Sequence, residues 1–238
     1  MLKIKECEKY YIVLGAGGTG SWLAQFLSKI DVNVYLIDGD IVETKNIIRQ
    51  NFSKKEVSIN KAEIAKKWNF NYVPEYITDT SIIEEIIESE KGMPVLIGCL
   101  DNNASRKIAH DVFYNPKYKD ILWLDAGNEE RHGQTYVAAK YNNKIIYDSP
   151  IILDEAFQNF DGDERRPDQI SCAEISESAP QNVTANITSA TVLFNLINLI
   201  EESKILLGNK YNFQTSLCSV TSEEFIKNDL QKDKKVLE

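Results

Sequence analysis

The chain has 238 residues, 43% hydrophobic and 26% charged, with a formal net charge of −9. That length suits one large α/β domain, and the composition excludes a chain too polar to build a core. The acidic balance argues against a protein that grips nucleic acid through phosphates or lies on an anionic membrane surface, so neither partner is expected.

In chain order, residues 11–14 (YIVL) read as a buried strand, followed by a glycine loop and a helical pattern over 21–30. Residues 32–37 (VNVYLI) predict a second strand ending at Asp38. A helical pattern over 61–68, a short strand over 72–77 and an amphipathic helix over 81–90 follow. Residues 94–99 predict a strand, 103–113 a helix and 121–125 another strand. Strands alternating with helices predict an α/β, Rossmann-like and mostly parallel sheet flanked by helices. The C-terminal half predicts antiparallel strands, with 133–139 and 144–147 forming a hairpin around Asn142 and Asn143. Residues 149–180 form a polar segment too long for an ordinary connection, and so functional or mobile. A helix over 182–207 stopped by Gly208, a strand over 212–217 and a charged tail frayed over 228–238 complete the chain, read as a single domain over 1–238.

No segment approaches the roughly 18–20 apolar residues of a membrane span. The most apolar stretch, near 190–200, is interrupted by Asn195 and Asn198. Residues 1–10 are charged and do not resemble a signal peptide, so a cytoplasmic location is expected. Cys7, Cys99, Cys172 and Cys218 are scattered without metal-ligand spacing, so no zinc is expected. Cys7, Cys99 and Cys218 fall in or near strand patterns and are expected in the core.

The chemistry begins at GAGGTG, residues 15–20. Gly15, Gly17, Gly18 and Gly20 lie between a strand and a helix, where a tight turn lets a phosphate reach the backbone and the free N–H groups of the helix start. Asp38 follows Gly20 by 18 residues, at a strand end where a carboxylate accepts ribose hydroxyls. These two features suit NAD, FAD and ATP alike. Further along stand Asp40, Asn46, Arg49 and Gln50, then Lys61, then Asp101, Asn102 and Arg106. A dinucleotide has one pyrophosphate, held mainly by backbone. Two cations with a carboxylate at a strand end suit a triphosphate with Mg²⁺ instead.

The ordered set, residues 15–20, the stretch 38–50, Lys61, and Asp101-Asn102 with Arg106, resembles the superfamily of ThiF, MoeB and ubiquitin-activating enzymes. The resemblance implies ATP-dependent adenylation of the C-terminal carboxylate of a small ubiquitin-like or sulfur-carrier protein. It implies that Asp38 holds the ribose, Asn46, Arg49 and Lys61 the phosphates, and Asp101 the Mg²⁺, with Gln50 in support and a homodimer as the assembly. LWLDAG with Asn128, Gly133-Gln134 and SCAE at 171–174, leading to Gln181-Asn182, looks like the ThiF-family proteins of PRTRC gene systems. Two departures stand out. Paired CxxC motifs are absent, and none of the ten residues before the first strand is the arginine that in many relatives reaches the partner's ATP; Lys3, Lys5 and Lys9 are the available substitutes.

Cys172 is the candidate thiol for a subsequent thioester, with Arg165 and Arg166 as groups that would lower its pKa if they fold nearby. Asp125 either lines the carboxylate channel or caps a turn with Gly127, and His110 and His132 read as structural. Two rival readings remain at this level. An NAD-dependent oxidoreductase rests on the glycine loop and Asp38 alone, and a non-catalytic nucleotide-binding scaffold rests on the missing arginine.

Overall fold

The computed structural model describes residues 1–158 and 182–224. Its centre is a strand at Lys9–Leu14 (β2), apolar along nearly its whole length because helices cover both faces of the sheet. Tyr11 and Val13 point into one core and Tyr10, Ile12 and Leu14 into the other. A minor strand, Leu2–Lys3 (β1), precedes it. Helix α1 (Gly18–Leu27) and strands β3 (Asn33–Ile37) and β4 (Asn71–Val73) follow, then α2 (Ser81–Ser89), β5 (Met93–Gly98), α3 (Asn103–Tyr114) and β6 (Ile121–Asn128). The order β4-β3-β2-β5-β6 is parallel throughout. From β2 the chain builds outward in one direction through β3 and β4, and then in the other through β5 and β6. The switch between β2 and β5 opens a crevice at the strands' carboxyl ends.

Beyond β6 the sheet turns antiparallel through β7 (His132–Tyr141), which pairs with β8 (Lys144–Tyr147) across Asn142 and Asn143, both at positive φ (51° and 61°). Such a pair is the two-residue turn whose twist matches a hairpin. The segment predicted as one long connection begins with structure. Helix α4 (Pro150–Leu153) and a 3-10 turn, Glu155–Phe157, pack Ile151, Leu153 and Phe157 on Tyr136. Residues 159–180 of that segment, with Arg165, Arg166 and Cys172, and the tail at 228–238, lie outside the described residues.

Helix α5 (Val183–Glu201) is shorter than predicted. Ser203 enters the left-handed region (φ 51°), and residues 205–206 pair with β1 as strand β9 (Ile205–Leu206), a long-range contact that local periodicity does not register. By length and mean hydropathy (1.5) α5 is apolar enough to cross a membrane, which corrects the expectation that no segment comes near. Its packing accounts for that composition: Leu193, Leu196, Ile197 and Ile200 are wholly or almost wholly buried, and Phe194 stacks on Phe26 of α1 at 5.9 Å. Each such burial contributes about 1.5–3 kcal/mol.

Strand β10 (Lys210–Gln214) pairs with β7, and β11 (Ser219–Glu223), which the sequence did not signal, forms the sheet edge. Residues 61–68 are helical as predicted but of the 3-10 kind, ended by Asn69 in the left-handed region. Cys7 and Cys218 are exposed, against expectation, because one precedes β2 and the other sits in the tight turn between β10 and β11.

Candidate functional site

The crevice holds a cavity of about 380 Å³ at the carboxyl ends of β2, β3, β5 and β6. The glycine loop forms its floor. Gly15 has φ 96°, which only glycine adopts readily, and its N–H donates to the Ile37 carbonyl at 2.8 Å. A Cβ on Gly20 would lie 1.9 Å from the Gly15 carbonyl oxygen, so α1 approaches the loop only because that side chain is absent. Gly17 differs, since a Cβ there would meet nothing nearer than the Gln50 amide at 3.9 Å. It faces the cavity at the N-cap of α1, where no side chain caps the helix and the first-turn N–H groups stay available to an anion.

Asp38 closes β3. Its carboxylate accepts the N–H of Ala16 at 2.7 Å and of Asp40 at 2.8 Å, tying the glycine loop to the end of the second parallel strand. Burial pushes its pKa up to about 6, with Lys61 opposing the shift and Asp40 adding to it. An isolated bridge between Ile41 and Asn60 folds the chain back on itself, and the Lys61 N–H donates to the Asp40 carbonyl. Lys61 is 6% exposed, its ammonium lies 2.6 Å from an Asp40 carboxylate oxygen, and the Tyr76 hydroxyl donates to the other at 2.8 Å.

Asn46, Arg49 and Gln50 ride on the short 3-10 turn Thr44–Asn46 and the residues after it. Asn46 is buried and accepts the Glu43 N–H at 2.8 Å in a reciprocal capping box. Gln50 is 6% exposed, and its carboxamide oxygen has no partner among the described residues, as befits an acceptor facing a ligand. The half-buried Arg49 guanidinium lines the cavity and makes no ion pair among the described residues.

On the far wall Asp101 is exposed after β5, and Asn102 donates to it at 3.2 Å while capping α3 through the Ser105 N–H. Arg106 lines the cavity but its donors are engaged. It donates to Asp125 at 2.7 Å, to the Leu100 carbonyl at 2.6 Å and to the Ala126 carbonyl at 3.3 Å, with the Phe157 ring 4.8 Å away. Its contribution is therefore to fix the walls. Asp125 is fully buried beneath Arg106 rather than lining an open channel, and burial raises its pKa against the pull of that guanidinium. Cys99 borders the cavity, where burial pushes its thiol well above the usual range.

The structure thus gathers Gly15, Gly17, Gly18, Asp38, Asp40, Asn46, Arg49, Gln50, Lys61, Asp101, Asn102 and Arg106 around one cavity, with Gly20 behind it. Cys172 lies outside the described residues. Lys5 is bonded to Asp120 at 2.7 Å and Lys9 to the Cys7 carbonyl at 2.9 Å, near the amino ends of β6 and β2 and so away from this crevice. Sequence reasoning did not find Tyr76, Phe157 or Asn186. The first two carry no motif, and a lone asparagine on a helix gives no signal.

A buried acceptor in Gln50, a strand-end carboxylate, an open helix start and two cations suit a nucleoside phosphate. For Mg²⁺, no group of three or more His, Cys, Asp or Glu side chains converges among the described residues. Asp101 alone is consistent with an ion that binds through one or two carboxylates, phosphate oxygens and water.

Fold and cavity together define a nucleotide-binding α/β domain. The ThiF family model matches residues 1–234, and the chain belongs to the ThiF family. Among solved structures it is similar to PaaA (TM-score 0.63, 20% identity, covering 92% of this chain and 64% of that one). It is also similar to E. coli MccB with ATP (TM-score 0.63, 16% identity, covering 94% and 65%) and to E. coli MccB with MccA-N7isoASN (TM-score 0.64, 16% identity, covering 94% and 65%). These identities make the likeness one of fold, and the chain spans just under two thirds of each of those chains. Among curated proteins none matches.

Proposed function

We propose that this protein uses ATP to adenylate the C-terminal carboxylate of a small ubiquitin-like or sulfur-carrier protein. One observation carries the reading: Arg49, Lys61 and Asp101, carried by three separate segments, line a single cavity whose floor is the glycine loop and Asp38. Family membership supports it, as does the fold shared with an E. coli MccB structure containing ATP and with MccB described as a Microcin C7 biosynthetic enzyme in complex with N-formylated MccA.

A carboxylate and a triphosphate repel each other, so the site must offset charge and align the reactants. Asp38 holds the ribose, the open start of α1 takes phosphate oxygens, and Arg49 and Lys61 neutralise the polyphosphate. Bound at Asp101, Mg²⁺ would supply further charge neutralisation at the phosphates. The carboxylate oxygen attacks the α-phosphorus, the bond from that phosphorus to the bridging oxygen breaks, and pyrophosphate leaves with the electron pair. In the proposed second step the Cys172 thiolate attacks the acyl carbon and AMP leaves. A Cys172→Ala protein that still forms a DTT-sensitive conjugate would contradict that step alone. Assembly as a homodimer is part of the proposal, and sedimentation of the free chain as a monomer would contradict it.

Calorimetric titration with Mg-ATP and, separately, NAD tests the nucleotide assignment. Mg-ATP binding that weakens in Asp101→Ala, without NAD binding, supports it. NAD binding that is indifferent to Lys61→Ala would favour an oxidoreductase instead.

A further inference from the structure

Resting on the reading that Arg49 serves the polyphosphate, we infer that Asn186 is the positioning residue that sets Arg49 in the cavity. The Arg49 guanidinium has no ion-pair partner among the described residues, so its placement depends on how its main chain is held. Its N–H donates to the Asn46 carbonyl at 3.1 Å, and two side chains hold its carbonyl. The Arg49 carbonyl accepts the Trp22 indole N–H at 3.2 Å, from α1, and the Asn186 amide N–H at 3.3 Å, from α5. Asn186 is fully buried, and its carboxamide lies against the glycine loop, where a Cβ on Gly18 would come within 2.7 Å of it.

The polarity of this linkage is fixed by the carbonyl at its Arg49 end. A carbonyl only accepts, so the Asn186 NH₂ faces Arg49 and its oxygen faces away. That oxygen accepts the Asn128 amide N–H at 2.7 Å, and the Asn128 oxygen accepts the Thr19 hydroxyl at 3.2 Å. One directional chain therefore joins α1 and the end of β6 to α5 and the Arg49 backbone. An amide linkage of this kind specifies one geometry, because reversing either amide sets two acceptors or two donors facing each other.

The test is calorimetry with Mg-ATP and with adenosine, which lacks the phosphates Arg49 serves. Asn186→Ala is expected to weaken Mg-ATP binding about three- to tenfold, the range for one or two lost hydrogen bonds, and to leave adenosine binding unchanged. Asn186→Asp, which keeps the volume but sets a carboxylate oxygen against the Arg49 carbonyl, is expected to do the same. So is Trp22→Phe, which removes the other donor to that carbonyl. In an Arg49→Ala background Asn186→Ala is expected to add nothing further. Equal weakening for adenosine and Mg-ATP, or an additive double variant, would mean that Asn186 only braces the fold, and would overturn the inference. Arg49→Ala protein that binds Mg-ATP as wild type does would overturn the underlying reading and this inference with it.

Discussion

Asp38 is an acceptor from two backbone N–H groups, yet burial holds its pKa near 6 rather than in the ordinary carboxylate range. A folded-state value above the unfolded one means that the folded protein binds more protons between about pH 4 and pH 6, so this group's contribution to stability falls as pH rises through that window. Ligand hydroxyls prefer the carboxylate, so affinity for Mg-ATP should rise with pH through about 6 and then level off. Asp38→Asn, whose single oxygen can accept from only one of the two backbone N–H groups, is expected to remove that inflection and weaken Mg-ATP binding, checked by calorimetry across pH 5–8. The gathering of Asp38, Arg49, Lys61 and Asp101 around one cavity was legible in the sequence because each holds its place in an ordered set, with Asp38 and Asp101 following strands, Lys61 opening a helical turn and Arg49 between them. Asn186 was not, since it meets Arg49 across 137 residues of sequence and nothing local marks a buried asparagine. The exposure of Cys7 and Cys218 escaped for the opposite reason: proximity to an apolar strand was read as membership of it.

At the scale of elements the glycine loop separates two roles that one motif conceals. Gly20→Ala is expected to destabilise the protein severely, since its methyl would collide with the Gly15 carbonyl, backbone that cannot step aside. Gly17→Ala has room within the fold and is expected to keep near-wild-type stability while losing nucleotide affinity, because its methyl would take up cavity space proposed for the phosphates. Urea denaturation and nucleotide titration of the pair distinguish the roles. The Arg106–Asp125 pair joins α3 to β6 and, through the Leu100 carbonyl, to the stretch before Asp101. Asp125→Ala leaves a guanidinium buried without its counter-charge and is expected to cost about 3–5 kcal/mol by urea denaturation. The inner parallel strands β2, β5 and β6 were legible because burial on both faces makes them continuous apolar runs, whereas β4, at the sheet edge and not fully buried, ends at Val73 instead of running to 77 as predicted. Strands β9 and β11 were not: IL and SVTSE carry no alternation, and they exist through pairing with β1 and β10. The 3-10 character of 61–68 was likewise invisible to a periodicity too coarse to separate 3.0 from 3.6 residues per turn.

Over the whole molecule, two cores lie on opposite faces of one sheet, and the crevice opens where the chain reverses its direction of growth. Helix α5 closes the core that also contains α1, which is why a segment with the composition of a membrane span is packed inside a globular fold. Leu193→Ala is expected to lower unfolding free energy by about 2–5 kcal/mol, measured by chemical denaturation. That architecture was legible in outline, from the alternation of strands and helices and from the hairpin at Asn142 and Asn143. The reach of the 150–157 segment to the cavity was not, since Phe157 meets Arg106 only through tertiary packing.

The most direct measurement of the central claim is the fate of the phosphates. The protein is incubated with Mg-ATP and a pool of peptides bearing free carboxyl termini, alongside the same pool with amidated termini, and the phosphate products are resolved. Adenylation yields AMP and pyrophosphate with the free carboxylates only, and both are expected to be lost in Lys61→Ala. ADP and inorganic phosphate, or turnover indifferent to amidation, would contradict it.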